Sequence, residues 1–93
     1  MDLNKKITLS DDVISQEVSG ETVLLDLASE NYFGLDEVGT RIWQLIKENG
    51  DLELVVKTLL EEYDVTEETL TADLDALLGE ISKLGLIKIE ART

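Results

Sequence analysis

Tyr32-Phe33-Gly34-Leu35-Asp36-Glu37-Val38-Gly39-Thr40-Arg41-Ile42-Trp43-Gln44-Leu45 is where the chain changes period. Up to Leu35 the residues are aromatic or aliphatic and suit a short pleated strand. From Val38 onward the apolar positions Val38, Ile42, Leu45 and Ile46 recur at helical spacing. Asp36 sits at the junction, where a carboxylate accepts from the free amides of a helix start. The helix is predicted to run to about Glu48, with Gly50 placed to end it. Before Asp36 β-type segments therefore dominate, and after it helical ones.

Toward the N-terminus, Thr22-Val23-Leu24-Leu25-Asp26-Leu27 and Val13-Ile14-Ser15-Gln16-Glu17-Val18 read as two more strands, joined through Ser19-Gly20-Glu21. Ala28-Ser29-Glu30-Asn31 is a second turn leading into Tyr32. The three strands make an antiparallel meander, and Ile7-Thr8-Leu9 reads as an extension at its start. Toward the C-terminus, Asp51 caps a second helix whose apolar face is Leu52, Val55, Val56, Leu59, Leu60 and Tyr63. A third helix starts at Thr66, with Glu67 and Glu68 in its first turn and Val65 able to staple onto Leu70. Its buried stripe is predicted as Leu70, Leu74, Leu77, Leu78, Ile81 and Leu84, closed by Gly85 in a left-handed cap. Leu86-Ile87-Lys88-Ile89 then reads as a last short strand. The fold class is α+β: a three-stranded antiparallel sheet followed by three α-helices, winged helix-turn-helix-like in rearranged order, spanning residues 1–93 as one domain. The helical half fits an unrelated bundle equally well at this stage.

Composition narrows the chemistry. The chain has neither cysteine nor histidine, so the commonest ligands for zinc and the usual nucleophile and base pairs are missing. No metal, cofactor or catalytic residue is assigned, and no enzymatic activity is expected. Gly34 and Gly39 stand apart, without the lysine and spacing of a phosphate loop. Asp73 and Asp75 lie two apart in a helix and point in different directions, which suits a solvated face better than calcium. A net charge of −13 repels phosphate backbones and anionic lipid, and the third helix would bring Asp73, Asp75 and Glu80 to DNA with Lys83 as its cation. Nucleic-acid and membrane partners are not expected. The polar start Met1-Asp2-Leu3-Asn4-Lys5-Lys6 lacks the apolar run of a secretory signal, so a cytoplasmic location is expected.

Val23-Leu24-Leu25-Asp26-Leu27 together with Asn31 to Leu45, then Glu61-Glu62-Tyr63-Asp64-Val65, Asp73-Leu74 and Leu84-Gly85-Leu86, resembles the PqqD-like family. These are the leader-peptide recognition elements of ribosomal peptide biosynthesis. The Leu-Leu-Asp and Tyr-x-Gly-Leu patterns are most similar to the stand-alone members of lasso-peptide clusters. The resemblance covers most of the chain. It implies a domain that takes a precursor-peptide leader as an added strand beside the third strand and against the third helix. It also implies delivery to a maturation enzyme such as a leader peptidase, macrocyclase or radical-SAM enzyme.

Two features of the residues agree with that implication. The third strand comes last in the meander and should be a sheet edge with unpaired backbone groups. Ala72, Ala76 and Gly79 form a stripe of small residues on the third helix, beside the leucine face. A strand hydrogen bond contributes about 1 kcal/mol, whereas ordering a peptide residue costs about 1–2 kcal/mol. Backbone pairing alone thus roughly cancels, and affinity must come from apolar anchors worth about 1.5–3 kcal/mol each. The candidate peptide-binding residues are Tyr32, Leu74, Leu77 and Ile81, with the strand backbone through Phe33 and Gly34, and Asp73 as a polar acceptor. Each has a plainer reading. Tyr32 and Phe33 suit the core of the sheet, the leucines the helix interior, Asp73 a solvated face, and Gly34 a bulge. Trp43 is read as core or partner-facing and is given no role. Two other classes stand beside this reading: a winged-helix regulator or protein adaptor without a precursor peptide, and a catalytic accessory. A homodimer through the exposed strand edge is a further possibility.

Overall fold

The computed structural model describes residues 2–91. Met1, with which the N-terminal reading begins, and the last two residues of the 1–93 span lie outside the described residues. The elements follow in the order β1 (Lys5–Leu9), β2 (Val13–Val18), β3 (Glu21–Asp26), β4 (Tyr32–Leu35), α1 (Glu37–Glu48), α2 (Leu52–Glu62), α3 (Glu67–Lys83) and β5 (Ile87–Ala91). β2, β3 and β4 form the antiparallel meander, with β3 in the centre. The three helices follow it as read from the change of period at Asp36.

Each helix starts on the residue chosen to cap it. Asp36 accepts from the Gly39 amide at 2.8 Å, Asp51 from the Glu53 amide at 3.1 Å, and Thr66 from the Thr69 amide at 3.2 Å. The turn between β3 and β4 is built by Asp26, a largely buried carboxylate that accepts from the Ala28 amide and, at 2.7 Å, from the Ser29 hydroxyl. It fixes the start of β4.

Ile7-Thr8-Leu9 does not extend the meander. β1 pairs antiparallel with β5 in a separate two-stranded sheet, Ile7 opposite Ile89. The chain turns at Ser10–Asp12, and the Ser10 amide donates to the Leu86 carbonyl at 3.0 Å, which turns β1 toward the returning tail. The Ile7 amide also donates to the Gly50 carbonyl at 2.7 Å, tying this ribbon to the α1–α2 turn.

One cluster of buried side chains joins the layers: Leu24 and Leu35 from the meander, Ile42, Trp43 and Ile46 from α1, Val55 and Leu59 from α2, and Leu74, Leu78 and Ile81 from α3. Trp43 is thus a core residue. Val38 departs from the expected buried face of α1 and is exposed. Leu84 is also exposed rather than part of the buried stripe, because α3 ends there in a Schellman motif. The Leu86 amide donates to the Ile81 carbonyl and the Gly85 amide to the Ser82 carbonyl, both at 3.0 Å, so Leu86 rather than Leu84 returns to the core. Gly85 has φ +77° and an added Cβ would meet no atom within 4 Å. Gly85→Ala is therefore expected to cost only the left-handed backbone penalty, about 1–2 kcal/mol, read as a thermal midpoint about 8 °C lower.

Away from the sheet, Arg41 of α1 donates twice to Glu62 of α2, at 2.7 and 2.6 Å. Hydrogen bonding from Arg41 holds the Glu62 carboxyl below its ordinary value. The pair lies at the surface and counts for little in stability.

Candidate functional site

β3 lies between two neighbours, so its backbone groups alternate between them. The Leu27 amide donates to the Asp12 carbonyl and the Asp26 amide to the Asn31 carbonyl, both at 2.8 Å. Carried along the registers of Val13↔Asp26 and Thr22↔Leu35, this alternation aims Leu24 and Thr22 at Phe33 and Leu35. The amides and carbonyls of Tyr32 and Gly34 then point the other way. They face the open border of the sheet.

Among the described residues no strand pairs with that border, and β5 is paired with β1 instead. Beside the border lies a groove of about 470 Å³, floored by Phe33, Leu35 and Ile42 and flanked by Val38 of α1 and by Asp73 and Leu77 of α3. Its size is within the range of small-ligand sites. Phe33 and Leu77 are partly buried against the core and keep part of their surface toward the groove. Asp36 and Asp73 place two carboxylates on its wall, and no cation among the described residues lines it. The far border, on β2, is different. Glu17 points to the helix side there and accepts from the Gln44 amide at 3.0 Å, a charged edge residue of the kind that discourages pairing.

The residues singled out in the sequence divide. Phe33, Gly34, Asp73 and Leu77 come together around the groove. Leu74 and Ile81 do not; at 0% and 1% exposure they lie in the core beneath it. Tyr32 is neither core nor groove-lining: its side chain is 77% exposed on the outer face of the sheet, where the period of two sends it when Phe33 points inward. The small-residue stripe is not part of the groove either. Gly79 lines another depression, between α3 and the β1–β5 ribbon. Sequence reasoning missed Leu35, Asp36, Val38, Gly39 and Ile42. The available signal was the absence of any loop between Leu35 and Glu37, which forces the first turn of α1 against the end of β4. Gly39 keeps that approach close, since an added Cβ would lie 3.2 Å from the Leu35 side chain.

The site is an apolar strip beside two unpaired residues of strand backbone, with carboxylates at its rim. It can hold an extended chain by backbone pairing and apolar anchors. The family model described as "Coenzyme PQQ synthesis protein D (PqqD)" matches residues 21–87. The solved structure "TbiB1 in Complex with the TbiA(beta) Leader Peptide" is similar at 38% identity over 87% of this chain and 94% of that one, with a TM-score of 0.83. No curated protein matches.

Proposed function

The chain belongs to the PqqD family, and from that premise we propose that it binds the leader segment of a ribosomally made precursor peptide by strand addition along β4. It then presents the leader to a maturation enzyme and performs no chemistry itself. The observation that carries this reading is the outward-facing backbone of Tyr32 and Gly34, directly beside an apolar groove that reaches α3. The likeness to TbiB1, whose structure is a complex with a leader peptide, supports it. Guest residues opposite Phe33 and Leu35 turn their side chains into the groove, and the alternate ones turn outward. Specificity then rests on what fits against Phe33, Val38 and Leu77, with Asp73 accepting a polar or cationic group. No helix among the described residues is long and apolar enough to cross a membrane, and the reading places the protein in the cytoplasm, where precursor peptides are made.

Titration of the purified protein with the labelled leader encoded beside it tests this. Saturable binding is expected at tens of micromolar or tighter, roughly 6 kcal/mol or more of binding free energy; its absence would remove the proposal. Leu77→Arg is expected to weaken binding about tenfold, because it replaces an apolar anchor with a charge at the groove wall. Leu77 is only partly buried, so far-UV dichroism should keep its wild-type form. Equal loss of fold and binding would place Leu77 in the core alone.

A further inference from the structure

The leader groove does not stop at the end of β4. Past Leu35 it opens into a shallower depression lined by Ser19, Glu21, Asp36, Glu37 and Val38, and the two share Asp36 and Val38. A guest strand paired along β4 and continuing past Leu35 therefore runs over Val38 and between these residues. Thr22 lies opposite Leu35, so the turn from β2 into β3 reaches the first turn of α1. An added Cβ on Gly20 would lie 3.6 Å from a Glu37 carboxylate oxygen, which sets the Glu37 side chain against the turn that Glu21 follows.

This mouth carries one sign of charge. Glu21, Asp36 and Glu37 are exposed in it, with Asp73 further along the groove wall. No Lys or Arg occurs between Ile7 and Thr40, and Arg41, one turn on from Glu37, is held by Glu62 instead. In the middle stands Val38, an aliphatic side chain left 42% exposed. An apolar patch ringed by carboxylates fits a side chain that is apolar along its stem and cationic at its tip. A metal ion does not suit it, since among the described residues no group of three carboxylates is placed to hold one.

We infer that the mouth receives a lysine or arginine of the leader, its stem over Val38 and its head among Glu21, Asp36 and Glu37. The inference rests on the leader-binding role and deepens it, naming a residue class that the leader carries just outside its strand-adding segment. Continuity with the groove selects the leader as the occupant. Exposed ion pairs add little to affinity singly, so the mouth acts on encounter. An anionic funnel speeds the association of leaders with a cation at that place and slows those with an anion. The apolar anchors then hold what the mouth has admitted, and the two determinants read different parts of the peptide.

The test measures association and dissociation by stopped-flow anisotropy with the labelled leader encoded beside this protein, for wild type, Glu21→Gln/Glu37→Gln and Glu61→Gln/Asp64→Asn. Asp36 is left in place because it caps α1. The second variant removes the same charge at the end of α2, which lines neither depression. At about 0.05 M salt the first variant is expected to associate about fivefold more slowly, and the difference should close at about 0.5 M. Its dissociation rate and the association rate of the second variant should stay within about twofold. A leader with Gln in place of the Lys or Arg flanking its anchored segment should lose the same factor against wild type and nothing further against Glu21→Gln/Glu37→Gln. Equal slowing in both variants would assign the effect to the charge of the whole chain and overturn the inference. An unchanged rate in Glu21→Gln/Glu37→Gln would overturn it too, as would a native leader with no cation at that place. Failure of wild type to bind leader at any salt would instead fall on the leader-binding role and take the inference with it.

Discussion

Gly34→Pro is expected to weaken leader binding about a hundredfold while leaving the fold in place. The Gly34 amide faces the open border and donates nothing to β3, so proline removes no ladder bond within the protein. An added Cβ meets no atom within 4 Å, and replacing glycine by proline also restricts the unfolded chain. For the guest strand the same change is severe. It loses a donor, strands a carbonyl at a cost of about 1–3 kcal/mol, and meets a ring where close approach is needed. About 2.7 kcal/mol corresponds to a hundredfold in Kd. Gly34→Ala keeps the amide and should bind nearly as wild type does. Anisotropy titration of the two variants separates backbone pairing from side-chain crowding; wild-type affinity in Gly34→Pro would mean that the peptide does not add here.

The largest effect on stability is expected at Gly50. Its φ of +78° alone disfavours any other residue, and an added Cβ would lie 2.6 Å from the Ile7 carbonyl oxygen. That oxygen belongs to backbone held in place by the bond from the Ile7 amide to the Gly50 carbonyl, so it has little room to move. Gly50→Ala should therefore cost the left-handed penalty of about 1–2 kcal/mol and a steric penalty of similar size, about 3 kcal/mol together. A thermal midpoint about 15 °C lower follows. Gly85→Ala is the internal control, with nearly the same φ and open space around the added carbon. Equal losses in the two variants would show that the β1 ribbon does not press on the α1–α2 turn.

Local signals in the sequence located the elements, because capping and turn chemistry act over a few residues. Asp36, Asp51, Thr66 and Gly85 each do in the structure what their type and position suggested. What escaped was non-local. The pattern around Ile7 announces a strand but carries no information about its partner, and β5 returns from the other end of the chain to supply one. In the site, period two told that Tyr32 and Phe33 point to opposite faces without telling which is inward. Their roles were decided by the shared parity of Phe33 and the buried Leu35, and by the buried Leu24 opposite Phe33 on β3. Leu74 and Leu77 belong to one leucine-rich arc of α3. Periodicity gives the width of that arc, whereas tertiary packing decides that Leu74 is sealed in the core and that Leu77 stands at the groove beside β4 and α1. The groove itself was half legible. Its strand and α3 sides were named from sequence, and its α1 side came into view only with the direct passage from β4 into the helix.

Amide hydrogen exchange along β4 puts the account to its most direct trial. On saturation with leader, the Tyr32 and Gly34 amides should slow by about tenfold or more, while Phe33 and Leu35, already donors to β3, stay as they were. Unaltered exchange at Tyr32 and Gly34, or protection appearing instead at Ser15 and Glu17 along β2, would contradict it.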